Sequence, residues 1–463
     1  MIHDIVEEED EAMEEMIWEC IDQYMETESP YMFRLSFVEQ GIADVTNLVC
    51  STLKGESTDN NEDRQTQIER VWKQYCQVHK IPNRSYSSFM FSKNTLQSLQ
   101  DDSPKEEQKQ EIKDRIEVLN QLELPEQKTE EWYAMRSRVL TATAISKLCG
   151  SEAKTNSVIY EKCLGESAYR PPLSLHDPRH WGNKYEPVTK SIYETIYNTR
   201  IQEYGCIPHS QYDFIAASPD GINVYPKSSK YGRMIEIKNI VNREITGDPS
   251  EEYWIQMQIQ MEVCQLNICD FVETRIKEFQ CEDEYYQQIG SLENEDAFGT
   301  EEVVAKDPVV TDKTGADIRE AVSVPLPKID FHGIILQFVG LKDPTVVHYE
   351  YMPLFYAGVI PCKQKVEEWR KRVIKKNQHE YVYVRTDCWY LDEISVVVVP
   401  RNRVWFQGTL PEIERVWRTI ETERVSGFDH RKPQSRSSGR SRGGSNLDDM
   451  VLPPSVFVNK MDS

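Results

Sequence analysis

The chain has 463 residues, room for roughly two to four domains and a substantial core. Its 54 Lys and Arg against 77 Asp and Glu give a formal charge of -23, which argues against a surface that binds nucleic acid everywhere, although a local groove of opposite sign is still allowed. No apolar run approaches the ~18 residues of a membrane span, and the acidic opening MIHDIVEEEDEAMEE lacks the basic start and greasy stretch of a secretory leader, so a soluble, non-secreted intracellular protein with no membrane partner is expected.

In chain order, three helical patterns come first. Met13, Ile17, Cys20, Ile21 and Tyr24 recur at helical spacing, as do Ile68, Val71, Trp72, Tyr75 and Cys76, and then Ile112, Ile116 and Leu119. Residues 1–125 therefore read as an acidic helical N-terminal extension. From about 126 to 379 the texture is mixed helix and strand, interrupted by an acidic, apolar-poor insertion at about 279–325. Within that region Phe331–Val339 and Val346–Met352 read as strands, and 363–376 reads as a helix with Val366, Trp369, Arg370 and Val373 on one side. A small α+β unit at 380–425 follows: a buried strand at Val396–Val399, a turn at 400–403, a second strand at Val404–Phe406 and a helix starting at Pro411. Residues 426–463 form a Ser/Arg/Gly-rich tail expected to be disordered.

The 11 cysteines are scattered with no CxxC pair, which points to reduced core residues rather than a disulfide scaffold or zinc ribbon. His176 and His180 lie four apart, but HDPRH contains a proline and no cysteine pair is near, so no metal role is assigned to them.

The chemistry concentrates in residues 216–240. Strand alternation puts Glu236 and Lys238 on one face and Ile235, Ile237 and Asn239 on the other. A carboxylate and an ammonium on a buried strand are costly unless something uses them. Asp220 sits in a Pro-Asp-Gly turn closing the strand 214–217, and a returning strand would bring it beside Glu236. Two converging carboxylates suit a hard divalent cation such as Mg²⁺ or Mn²⁺. The adjacent Lys238 can hold or help deprotonate the attacking water, or offset charge in the transition state. Pro-Asp, fifteen residues, then Glu-x-Lys matches the PD-(D/E)xK nuclease signature. A β-hairpin with a surface Glu–Lys pair would give the same letters.

Three further motifs stand in order around that pair. Glu131–Arg136 (EWYAMR) with Val139–Thr143 (VLTAT), Trp181–Glu186 (WGNKYE), Ser218–Gly221 (SPDG), Glu236–Lys238 (EIK) and Tyr253–Met261 (YWIQMQIQM) resemble the five successive motifs of the lambda exonuclease / YqaJ viral recombinase family. The long extensions make the pattern similar to versions from large DNA viruses, which would place the protein in a host cytoplasm or nucleus.

The resemblance implies an α/β fold: a restriction-endonuclease-like core, with a central mixed β-sheet flanked by helices, carrying the N-terminal helical and C-terminal α+β extensions. It implies a Mg²⁺-dependent 5′→3′ double-strand DNA exonuclease that generates single strands for recombination or end repair. Two Mg²⁺ ions per site are implied, with Mn²⁺ as the alternative. Carried over residue by residue, Asp220 and Glu236 are the principal ligands, the Ile237 carbonyl a further one, and Glu186 a helix carboxylate that completes the metal site. Lys238 is the catalytic lysine. Gln258 is the glutamine that positions the nucleophilic water or the lysine, flanked by Gln256 and Gln260. Arg136 and Thr143, with Thr141 near the same helix start, hold a terminal 5′-phosphate, and Ser218 touches the DNA backbone. Duplex DNA with 5′-phosphorylated ends is the implied partner, and a single-strand annealing protein and a homo-oligomeric ring trimer are implied as well. A structure-specific endonuclease of the same superfamily and an inactive DNA-end-binding scaffold are the alternatives. Trp132, Trp181, Trp254, Arg401 and Arg403 are candidate DNA guides.

Overall fold

The computed structural model describes residues 2–53, 61–91, 104–127, 129–165, 178–289, 331–355 and 361–432. Its elements are α1 (Ile2–Glu28), α2 (Phe37–Thr52), α3 (Asn61–Val78), β1 (Tyr86–Phe91), α4 (Glu106–Asn120), α5 (Glu130–Ser137), β2 (Leu140–Thr141), α6 (Ala142–Leu148), α7 (Glu152–Leu164) and α8 (Pro178–Tyr197). There follow β3 (Ile201–Gln202), β4 (Ile207–Pro208), β5 (Ile215–Ala217), β6 (Gly221–Asn223), β7 (Met234–Asn239), α9 (Glu251–Cys264), β8 (Ile268–Glu278) and α10 (Glu282–Ile289). The last group is β9 (His332–Gly340), β10 (Val347–Tyr351), α11 (Lys363–Asn377), β11 (Tyr381–Pro400) and α12 (Arg403–Ser426).

The fold is mixed α/β, as the sequence indicates. An eight-stranded sheet runs in the order β10-β9-β11-β8-β7-β6-β3, with β1 also paired to β11. Only β7 and β8 pair in parallel within this sheet, and β2-β5-β4 form a small second sheet. The parallel pair lies mid-sheet and is covered on both sides, which is where a parallel pair belongs. Ile235 and Ile237 pack with Tyr185, Val188, Ile192 and Tyr193 of α8. On the opposite side, Trp254, Met257 and Met261 of α9 join the largest cluster.

The C-terminal segment is not a separate unit. β11 is one 20-residue strand: its first half pairs with β9, its second half with β8, and Ile394–Val398 also pair with β1. Val404–Phe406, expected as a strand, forms the first turn of α12, and Pro411 lies inside that helix rather than at its start. The cause is Asn402, whose Oδ1 accepts from Trp405 N–H (2.9 Å) and caps the helix there.

The N-terminal helices also share the main core. Ile17, Ile21, Val45, Ile68 and Trp72 belong to the same apolar cluster as Trp254, Trp405 and Val416. Trp405 Nε1 donates to the Pro30 carbonyl (3.0 Å) and Trp254 Nε1 to the Arg84 carbonyl (2.9 Å). Truncating either tryptophan to alanine would cost about 3–5 kcal/mol. Helix α2 was not foreseen. Part of the expected acidic insertion is helix α10; the rest of it, and the tail beyond residue 432, lie outside the described residues, as does His176. Among the described residues no helix is long and apolar enough to cross a membrane.

Candidate active site

Asp220 and Glu236 meet at the open end of the β6–β7 hairpin, away from its turn. Gly221 pairs with Ile235 in the antiparallel β6–β7 ladder, which sets Asp220 beside the start of Glu-Ile-Lys. The pairing strand is β6, directly after the Pro-Asp turn, rather than the strand before that turn. Glycine is required at this join, because a Cβ on Gly221 would stand 2.2 Å from Ile201 Cγ2. The Ile237 N–H donates to Asp220 Oδ2 (2.8 Å).

Glu236 is fully buried. Its Oε1 accepts from Lys238 Nζ, and its Oε2 from Gln260 Nε2 (2.8 Å). Lys238 Nζ also donates to the Ile237 carbonyl (3.2 Å) and stands 4.9 Å from the centroid of the Tyr253 ring. Strand alternation thus aims both charged side chains at α9, as the spacing predicts. Glu186 comes from α8, where Lys190 Nζ donates to its Oε1 (3.1 Å).

The three acids feel one another. Burial pushes the Asp220 carboxyl up to about 8; the charge of Glu236, and to a lesser degree that of Glu186, adds to this, while Lys238 and the Ile237 amide oppose it. For Lys238, burial acts to lower the pKa, but the charges of Glu236 and Asp220 outweigh it and hold the ammonium above its ordinary range. The same contacts place the Lys238 ammonium where it could offset negative charge beside the two carboxylates.

The donor chemistry fits a hard cation. Excess negative charge in a buried place, offered by oxygen atoms alone, is what Mg²⁺ or Mn²⁺ relieves. Among the described residues no three His, Cys, Asp or Glu side chains form a ready cage. Mg²⁺ does not need one, because it keeps several waters and is commonly held by one or two carboxylates. Asp220, Glu236 and the Ile237 carbonyl could supply the protein oxygens, with Glu186 reaching through water.

A cavity lies near this cluster and is linked to it through Ser218. Its volume is about 310 Å³, and Arg136, Thr141, Thr143, Lys147 and Lys162 line it together with Trp132, Glu161 and Asn183. The Arg136 guanidinium lies 4.3 Å from the centroid of the Trp132 ring, and its Nη1 donates to Ser218 Oγ (3.3 Å). Ser218 therefore joins the two regions: its hydroxyl meets Arg136, its carbonyl accepts weakly from Gln260 Nε2 (3.5 Å), and Asp220 is two residues on. Thr143 is exposed at this cavity, whereas Thr141 is buried and its Oγ1 accepts from the Ala144 N–H (3.3 Å) as the cap of α6.

The sequence profile of the YqaJ-like viral recombinase domain matches residues 131–267. An uncharacterized protein of Acanthamoeba polyphaga mimivirus is 26% identical over 369 residues, covering 74% of this chain and 61% of that protein, so the chain spans about three-fifths of the relative's length. The crystal structure of an alkaline exonuclease (LHK-Exo) from Laribacter hongkongensis is 26% identical over 32% of this chain and 74% of that one, with a TM-score of 0.28. The complex of LHK-Exo with dAMP matches with the same identity and coverage at a TM-score of 0.27.

Within residues 131–267 the glutamine assignment needs correction. Gln258 points away from the carboxylates: its Nε2 donates to the Pro400 carbonyl (2.9 Å), and its Oε1 accepts from the Asn402 N–H (2.6 Å). Two residues along a helix turn the side chain by about 200°, so Gln256 and Gln260 share a face and Gln258 takes the other. Gln260 is the residue that touches Glu236. Trp254 and Arg401 are likewise not DNA guides, since Trp254 is buried against Trp405 and Arg401 pairs with Glu262 (2.6 Å). Trp132 is also buried, beneath Arg136, while Arg403 is exposed.

Two groups escaped the sequence reading. Lys162 occupies the buried face of α7 with Val158 and Ile159 and donates to the Arg136 carbonyl (2.6 Å); a lysine at helical spacing from apolar residues is the signal. Lys184, inside the WGNKYE motif, is buried between Glu278 and Asp387, the latter at 2.6 Å, and Tyr185 OH donates to Glu278 (2.6 Å). These residues fasten α8 to β8 and β11. Gly182 does not serve a close approach by its Cα, since a Cβ there would meet no described atom within 4 Å.

Proposed function

We propose that this protein is a Mg²⁺-dependent DNA exonuclease that enters duplex DNA at a 5′-phosphorylated end, degrades that strand 5′→3′, and leaves single strands for recombination or end repair. The observation that carries the reading is the junction at Ser218, which ties a cationic cavity to a cluster of three acids and a lysine. The match of residues 131–267 to the profile of the YqaJ-like viral recombinase domain supports a DNA substrate.

Asp220, Glu236 and the Ile237 carbonyl would hold Mg²⁺ (or Mn²⁺), with Glu186 completing the site. Bound there, the ions would polarise a phosphoryl oxygen and lower the pKa of an attacking water. The chain's own residues do the rest. Arg136, Lys147 and Lys162 present positive charge to a terminal phosphate, and the Thr143 hydroxyl adds a neutral donor. Gln260 holds the Glu236 carboxylate in one orientation through Oε2. Lys238, kept protonated by its acidic neighbours, stands ready to offset charge that builds on the scissile phosphate. Each cleavage would create a new 5′-phosphate, the group that the Arg136 cavity receives, so successive turnovers follow from the same two sites.

The test is end-labelled linear duplex, 5′-phosphorylated or 5′-hydroxylated, incubated with Mg²⁺, Ca²⁺ or EDTA, beside covalently closed circles. Mg²⁺-dependent mononucleotide release from phosphorylated ends is expected, lost in Asp220→Ala and in Glu236→Ala while both stay folded. Undiminished degradation by those two variants would reject the assignment, and rapid cutting of circles would replace the exonuclease with an endonuclease.

A further inference from the structure

The helix that carries Glu186 has a weak point beside that residue. Pro187 lies inside α8, and a proline removes one hydrogen bond of the helical ladder, here the one that the Asn183 carbonyl would accept. A carboxylate needed in a fixed place therefore sits where its own helix is least able to hold it.

One side chain spans the gap. Asn239 Nδ2 donates to the Gly182 carbonyl (3.1 Å), and Asn239 Oδ1 accepts from the Thr189 hydroxyl (2.6 Å). Gly182, Glu186 and Thr189 stand at i, i+4 and i+7, on one line along one helix face. The two bonds thus fall on either side of both Glu186 and Pro187. The Thr274 hydroxyl of β8 donates to the same Oδ1 (2.7 Å), and Thr189 and Thr274 lie 3.0 Å apart, both fully buried. The clamp is therefore anchored to the middle of the sheet. Strand alternation explains its origin: Lys238 faces α9, and the next residue, Asn239, faces α8.

We propose that Asn239 is a positioning residue for Glu186: its amide bridges the proline gap in α8 and fixes the height and rotation of that carboxylate relative to Asp220. The proposal rests on the reading of Glu186 as part of a divalent-cation site, but the clamp itself can be tested without it.

Two measurements decide it. Amide hydrogen exchange on the cation-free protein compares wild type with Asn239→Ala: exchange at Tyr185, Glu186, Val188 and Thr189 should quicken by about fivefold to tenfold, the worth of one to two net hydrogen bonds, while Ile192–Tyr197 stays unchanged. Unchanged exchange at 185–189 overturns the proposal. Calorimetric titration with Mn²⁺ in the absence of DNA then covers wild type, Asn239→Ala, Glu186→Ala and the double variant. Asn239→Ala should weaken Mn²⁺ binding by a similar factor in the wild-type background and not at all in the Glu186→Ala background. An equal loss in both backgrounds would show that Asn239 acts on the fold at large and would also overturn the proposal. If wild type binds no Mn²⁺, the cation-site reading fails, and the exchange result alone decides the clamp. Thr189→Val, which keeps the bond to Gly182, undergoes the same two measurements if Asn239→Ala does not fold.

Discussion

Gln258 and Gln260 look equivalent in the sequence, yet their substitution should divide cleanly between stability and activity. Gln260→Leu removes the donor at 2.8 Å from Glu236 Oε2, a hydrogen bond to a charged group worth about 1.5–3 kcal/mol. It also removes Gln260 Oε1, a buried acceptor without a partner among the described residues, whose presence costs about 1–3 kcal/mol. The two contributions to folding nearly cancel, so the unfolding midpoint should stay close to wild type. The electrostatic support of Glu236 does not cancel, and Mg²⁺-dependent degradation should fall roughly tenfold to a hundredfold. Gln258→Leu does the reverse. It strands the Pro400 carbonyl and the Asn402 N–H where β11 passes into α12, at about 1–3 kcal/mol for each buried group. Destabilisation of about 2–6 kcal/mol should follow, with the specific activity of the folded fraction nearly intact. Urea unfolding followed by circular dichroism and release of acid-soluble nucleotide from linear duplex read the two quantities separately. If Gln258→Leu abolished activity at full stability while Gln260→Leu left it untouched, the helix orientation described here would be wrong.

Other expectations are more local. Arg136→Ala should lower the preference for 5′-phosphorylated over 5′-hydroxyl ends by roughly tenfold to a hundredfold, the worth of a charge-assisted pair; an unchanged ratio removes that role. Lys184→Met leaves Glu278 and Asp387 without their buried cation and should cost about 3–5 kcal/mol near neutral pH. Burial acts to raise the Glu278 pKa, but Lys184 and the Tyr185 hydroxyl outweigh it and hold the folded-state value below the ordinary one. That stability is therefore present above about pH 4.3 and is lost as pH falls through the folded-state value, so the gap between Lys184→Met and wild type should narrow in acid. A gap constant from pH 7 to pH 3 would contradict the ion-pair account. Gly221→Ala drives a methyl to 2.2 Å from Ile201 Cγ2 and should destabilise by about 1–3 kcal/mol in urea titration.

The elements that carry the site were legible because their residues obey simple periodicities. Met-Ile-Glu-Ile-Lys-Asn alternates as a strand must, and β7 follows it residue by residue. The three early helices lie where their apolar spacing places them. What escaped depends on tertiary contacts. In β11, residues such as Arg385, Asp387, Asp392 and Glu393 interrupt the apolar pattern, and their partners, among them Lys184 and Arg275, come from other elements. The run Val404–Phe406 reads as a strand until Asn402 is recognised as a helix cap. Gln258 was favoured over Gln260 because alignment by motif is blind to a rotation of about 200°; helical geometry separates the two faces, and only the contacts with Glu236, Pro400 and Asn402 say which face is which. Lys162 and Lys184 drew no reading of their own from the sequence, because their burial is set by partners on other elements.

The long strand β11 also sets an order of events. β8 lies between β7 and β11, and β11 in turn joins β9 and β1, elements drawn from residues as far apart as 86 and 400. Contacts of such high sequence separation form slowly, and the strand bearing Glu236 gains a complete sheet around it only once residues 381–400 have been synthesised. A nascent chain still short of that point would carry every acidic group of the cluster with only β3, β6, β7 and β8 joined beside them and β8 left as an open edge, so premature stops or clipping within β11 should act as losses from the centre of the molecule.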